Sequence, residues 1–178
     1  MNNEKRIDPL LSMETVGGER STAPTNNPTT SIDVLGHKLG QELLDSGISI
    51  ENQKFLSYRR VSPEEAFKLT GHRYSGWVVL YTDPKGKPYT HNGQPFYRLK
   101  PDAGQITEGK YRTISGAGNR PYFSPFLTKN HIYSFKDLLI TEGEKKADSL
   151  CIHGFPTIGL AGVWSWKDGR SGGMLPEL

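Results

Sequence analysis

Cysteine is all but missing from this chain. Its single thiol, Cys151, cannot close an internal disulfide, which argues against a disulfide-built secreted scaffold and favours a reducing compartment. Long apolar runs are missing too: none approaches the ~20 residues that span a bilayer, so no membrane partner is expected. The opening Met1-Asn-Asn-Glu-Lys-Arg6 leads into no apolar segment of the kind a secretory signal needs. A cytoplasmic location is the expectation. There is no Gly-x-x-x-x-Gly-Lys-Ser/Thr, which excludes a P-loop from these residues. Gly116 and Gly118 sit in no strand-to-helix setting and make no dinucleotide fingerprint. The histidines pair with neither Cys151 nor one another at zinc-ligand spacing. Apolar residues are scarce, at 34% of 178, so a core forms only if part of the chain stays outside it. Excess charge is scarce as well. A net +3 permits contact with nucleic acid without demanding it.

What is present falls into three parts. Residues 1–33 hold few large apolar groups and read as a disordered tail, because little buried surface is available to offset ordering entropy. Residues 34–130 read as a small α+β module. Leu35, Leu39, Leu43 and Leu44 recur at helical spacing up to Gly47. Ser62-Pro63-Glu64-Glu65 carries an N-cap, a first-turn proline and a capping box, with Gly71 as the stop. Gly76–Tyr81, Pro95–Lys100 and Lys110–Ile114 have strand composition, and Asp83-Pro-Lys-Gly86 is a turn. The remaining residues, 131–178, read as an incomplete α/β unit.

The tetrapeptide Ile-Thr-Glu-Gly occurs twice, and its flanks separate the copies. Turn-prone residues precede Ile106–Gly109 and a strand follows, so Glu108 reads as an exposed loop carboxylate. The second copy, Ile140–Gly143, ends the apolar run Leu138-Leu139-Ile140 and opens a helical stretch, Glu144–His153. On that helix Ala147, Leu150 and Cys151 form the predicted buried face, with Lys145, Asp148 and Ser149 on the wet side. Cys151 therefore reads as a packing residue rather than a nucleophile. Gly154 closes the helix before the strand-like Phe155–Ala161. Strand, tight turn, helix and strand suit a parallel crossover, in which ligands gather beyond the strands' carboxyl ends. Glu142 stands at such an end, ahead of Gly143. There it suits a metal ligand or general base, with Lys145 and Lys146 as phosphate contacts. A plain helix cap beside two hydrated lysines fits the same spacing.

Phe96, Tyr97, Arg98, Tyr111, Arg112 and Tyr122 interleave aromatic and basic side chains. This pattern suits a stacking and phosphate-binding face for single-stranded nucleic acid, with Arg98 and Arg112 on the phosphates. Ordinary strand packing fits it equally.

Leu138-Leu-Ile-Thr-Glu-Gly-Glu-Lys-Lys-Ala147, with Gly159-Leu-Ala-Gly-Val-Trp164 after it, resembles the first motif and second strand of the toprim fold. More narrowly it resembles an uncharacterised toprim-like family in plasmid, phage and mobile-element proteins with primase or helicase segments. The resemblance extends over residues 38–178 and is softer upstream. It implies a Rossmann-like parallel sheet in which Glu142 serves as catalytic acid/base or on the metal side. It also implies Mg²⁺-dependent phosphoryl or nucleotidyl transfer on nucleic acid, and a helicase segment as partner. The second acidic pair of that pattern, Asp-x-Asp, has no counterpart here: Asp168 lacks an acidic partner two residues on. The chain therefore reads as the front piece of a longer protein. Mg²⁺ is expected only with the sheet completed. The alternatives are a non-enzymatic nucleic-acid-binding or adaptor module, or an inactive fragment.

Overall fold

The computed structural model describes residues 37–129, 132–169 and 171–178. The expected tail lies outside the described residues. A four-stranded sheet, a three-stranded sheet, a separate two-stranded hairpin and five α-helices make a mixed α/β fold among the described residues.

Helix α1, His37–Leu44, buries Leu39 and Leu43 as its spacing requires, and a short helix α2, Ile50–Gln53, follows. Strand β1 (Tyr58–Val61) leads to α3 (Pro63–Thr70), whose ends follow the local sequence code. Ser62 Oγ accepts from the Glu65 amide, Ser62 N–H donates to the Glu65 carboxylate, and Gly71 closes the helix at φ 78°. Strand β2 (Gly76–Leu80), a small hairpin of β3 (Thr90–His91) and β4 (Gln94–Pro95), then β5 (Tyr97–Pro101) and β6 (Arg112–Thr113) follow. The first sheet is antiparallel throughout, in the order β1-β2-β5-β6. The Asp83–Gly86 turn closes with the Gly86 amide donating to the Asp83 carbonyl.

Strand β7 (Tyr122–Phe123) and helix α4 (Pro125–Lys129) precede the second sheet's parallel pair. That pair is β8 (Leu139–Glu142) and β9 (Thr157–Leu160), joined by helix α5 (Glu144–Ile152). The order is β7-β9-β8, with β7 antiparallel to β9. The sheet is therefore mixed rather than purely parallel. Its third strand is two residues long, too short for alternation to announce it in the sequence.

The apolar run expected to form a buried strand lies at the sheet's edge instead. Leu139 and Ile140 are 46% and 60% exposed, whereas all four β9 residues are buried. Among the described residues strand β8 has a neighbour on one side only, and its apolar side chains Leu139 and Ile140 stand open. Asp148, expected on the wet face of α5, is 0% exposed, and Glu144 is 1% exposed. Helix α5 is covered on two sides, because the first sheet packs against the face that carries both acids. The main core cluster accordingly joins Trp77 of the first sheet, and Tyr81 directly after β2, to Tyr122 and Ala147. Gly159 makes the close approach possible: a Cβ there would lie 3.2 Å from the Gly143 carbonyl and 3.3 Å from Ala147 Cβ. Cys151 packs in a second cluster with Phe123, Leu127 and Ile158, and burial pushes its thiol up to about 11. No helix among the described residues is long and apolar enough to cross a membrane.

Candidate functional site

The two Ile-Thr-Glu-Gly copies meet. A cleft of about 580 Å³ is lined by Gly109 and Lys110 from the first region and by Glu142, Gly143 and Lys146 from the second. Arg98, Tyr111 and Ala161 complete its wall. The loop between β5 and β6 therefore faces the turn where β8 hands over to α5. Glu142 is exposed at the carboxyl end of β8, in register with Leu160 of β9. Glu108 stays exposed on its loop, as the flanking residues predict.

Gly143 makes the turn possible. Its amide donates to the Leu160 carbonyl at 2.7 Å, and its backbone sits at φ 93°, ψ 152°. This region is essentially restricted to glycine, because a Cβ would collide with the local backbone. Space is not the constraint, since a Cβ there meets nothing within 4 Å. Gly143→Ala is thus expected to cost roughly 1–3 kcal/mol through backbone strain. Urea unfolding measures this; unchanged stability in the variant would show that the turn carries no such strain.

The lysines of α5 divide. Lys146 is exposed at the cleft and forms no ion pair among the described residues. Lys145, expected beside it as a phosphate contact, turns away and donates to Glu42 of α1 at 3.1 Å. Glu42 also accepts from Lys100 of β5, so one carboxylate ties α1 and β5 to α5. Consecutive residues on a helix point about a quarter-turn apart, so only one of the pair faces the cleft.

Arg98 and Arg112 also depart from the expected basic face. Arg98 lines the cleft but is buried, its side chain 9% exposed. It donates to Glu144 at 2.6 Å and to the Ala161 carbonyl at 3.2 Å, and its guanidinium carbon lies 4.0 Å from the Tyr111 ring centre. Arg112 donates to the Tyr111 and Glu108 carbonyls and holds the loop's shape. Phe96 and Tyr122 are core residues at 2% and 1% exposure, not a stacking platform. Lys110 is the cationic residue the spacing did not single out. The one signal for it is its place directly after the first Ile-Thr-Glu-Gly copy.

Mg²⁺ is expected at Glu142 only with the sheet completed. This ion takes several oxygen ligands, commonly one or two carboxylates with waters and substrate phosphates. Glu142 is the sole carboxylate among the described residues lining the cleft, since Glu144 beside it is spent on Arg98. No group of three or more metal-ligating side chains gathers among the described residues. The donor set thus does not amount to a resident Mg²⁺ site.

A second cavity of about 340 Å³ adjoins the cleft and shares Gly109 and Lys110 with it. On the other flank, Glu142 borders an apolar pocket of about 270 Å³ formed with Ile140, Leu160, Val163 and Trp166. Trp164, next to it, is 70% exposed.

Residues 133–174 match the model of a family described as a domain of unknown function (DUF3854). The match contains β8, α5 and β9, hence Glu142, Gly143 and Lys146. No curated protein matches the chain, and no solved structure does.

Proposed function

We propose that the cleft binds nucleic acid through its phosphates, with a single-stranded DNA segment as the expected partner. The observation that carries this reading is the convergence of Lys110 and Lys146, both exposed and without an ion pair among the described residues, on one cleft beside Glu142. Lys38, exposed and likewise unpaired among the described residues, lines the adjoining cavity. Paired cations such as Arg98 and Lys100 gain little from a phosphate because their charge is already compensated. Unpaired lysines release counterions from the strand and bind it in a salt-dependent way.

The test is fluorescence anisotropy with a labelled single strand of about ten nucleotides. Affinity is expected to fall with added salt. Lys110→Ala and Lys146→Ala are each expected to weaken binding and to reduce the log–log salt slope by about 0.7, the value for one phosphate contact on a single strand. Absence of binding at low salt, or variants that bind like the parent, would overturn the reading.

A second reading follows from Glu142 itself. An exposed carboxylate at the end of a parallel strand, within reach of the same cleft, suits a general base for phosphoryl or nucleotidyl transfer. The toprim-like interpretation of β8–Gly143–α5, and its setting in a mobile-element replication protein beside a helicase segment, belong to this proposal. On this reading Glu142→Gln abolishes strand cleavage or joining while single-strand binding persists. Equal turnover in parent and variant removes Glu142 from the chemistry.

A further inference from the structure

The adjoining cavity lies between α1 and the antiparallel sheet, and its lining differs from that of the cleft. Leu39, Trp77, Pro101 and Ile106 supply an apolar floor and rim. Asp102 and Glu42 offer carboxylate acceptors, and Arg60 offers donors. These polar groups are held in place rather than free to swing. Arg60 Nη1 donates to Asp102 at 2.6 Å, its second nitrogen reaches the other carboxylate oxygen, and Ser75 Oγ donates to Asp102 at 2.7 Å. The guanidinium plane is thus fixed while its side chain stays 42% exposed. Lys100 Nζ lies 5.4 Å from the Trp77 ring centre and is itself held by Glu42.

A guanidinium fixed on a carboxylate, in a cavity that also has apolar lining and both donors and acceptors, suits a flat heteroaromatic ring. Nucleobases carry such an edge of alternating donors and acceptors, and they stack on arginine planes and apolar surfaces. A volume near 340 Å³ is within the range of small-molecule sites. A simple phosphate needs neither the apolar floor nor the carboxylates. Gly109 and Lys110 line both, so the cavity and the cleft lie side by side.

We infer that this cavity receives a nucleobase of the bound strand, whose phosphate then lies past Lys110 in the cleft of Glu142 and Lys146. The inference rests on the nucleic-acid reading above and adds a base-binding subsite to it. Ile106, on the loop that carries the first Ile-Thr-Glu-Gly copy, becomes the residue that shapes the base subsite.

The experiment displaces a labelled strand of about ten nucleotides from the full chain with adenosine monophosphate or with ribose 5-phosphate. Adenosine monophosphate is expected to compete about tenfold better, the size of one base contact. Ile106→Trp, which fills the cavity from a surface loop, is expected to erase that difference and to weaken the strand by a similar factor. Lys146→Ala is expected to weaken both competitors equally. Equal competition by the two compounds in the parent protein, or an unchanged ratio in Ile106→Trp, overturns the base subsite and leaves phosphate binding standing. Loss of monophosphate binding in Ile106→Trp without loss of strand binding assigns the cavity to a free nucleotide and overturns its placement on the strand. Failure of the strand itself to bind defeats both readings.

Discussion

Replacing Arg98 by methionine is expected to destabilise the protein by about 3–5 kcal/mol, because it leaves Glu144 as an unpaired charge in the interior. Glu144 is 1% exposed, and its Oε1 accepts from Arg98 at 2.6 Å and from the Tyr81 hydroxyl at 2.5 Å. Its Oε2 is buried without a donor among the described residues. Take Arg98 away and one neutral hydroxyl remains to stabilise a carboxylate out of water. Unlike a surface ion pair, usually worth no more than ~1 kcal/mol, this pair links β5 of the first sheet to α5 against the second. Its loss therefore acts on the contact between the sheets as well as on the charge. The double variant Arg98→Met with Glu144→Met removes both charges and is expected to recover most of the loss. Urea unfolding of the three proteins decides this. A loss below about 1 kcal/mol in the single variant would mean that water reaches the pair and the contact is a surface one.

The second large effect is on pH dependence. Asp148 is fully buried, and burial raises its carboxyl from the ordinary 3.8 to about 7. Hydrogen bonds from Tyr58, Ser124 and Tyr122 oppose the rise, and the like charge of Glu144 adds to it. The Tyr58 hydroxyl donates at 2.7 Å and that of Tyr122 at 3.0 Å. Between pH 4 and 7 the folded protein holds a proton that the unfolded chain has released. Stability therefore falls as pH rises through this window, and the penalty is fully present above about 7. The displacement corresponds to about 4 kcal/mol at ~1.4 kcal/mol per pH unit.

Glu42 and Asp102 work in the opposite direction. Burial resists charge on Glu42, but Lys100 and Lys145 outweigh it and hold the carboxyl below its ordinary range. The hydrogen bond from Arg60 does the same for Asp102. Their contributions are present above the ordinary carboxylate range and are lost as acid protonates them. Asp148 is therefore read by difference. Asp148→Asn is expected to gain on the parent by several kcal/mol between pH 4 and pH 8, measured by denaturant unfolding at each pH. A difference between the two proteins that stays constant across that window would place Asp148 in contact with solvent.

Local chemistry was legible wherever it acts over a few residues. The capping box at Ser62, the turn at Asp83, the paired strands at β2 and β5, and the strand–glycine–helix order at Gly143 all follow from propensities and periods of neighbouring residues. So did the exposure of Glu108 and the burial of Cys151. What the sequence could not disclose concerned partners far away along the chain. Lys145 and Lys146 are adjacent and chemically alike, yet Glu42, more than a hundred positions earlier, engages one and leaves the other to the cleft. Asp148 reads as a residue of the wet face with Lys145 and Ser149, yet it and Glu144 are both buried. They are buried because Tyr58, Tyr81 and Arg98 approach from the antiparallel-sheet side, and Tyr122 from β7 of α5's own sheet, with donors that make a buried carboxylate tolerable. A helix pattern records one interface, and α5 has two. The sequence by itself determined the longer helices and strands and the glycine turn that presents Glu142. The tertiary structure alone decided which charges are spent inside and which remain for a ligand, because desolvation depends on what packs against a side chain and not on its neighbours in the chain.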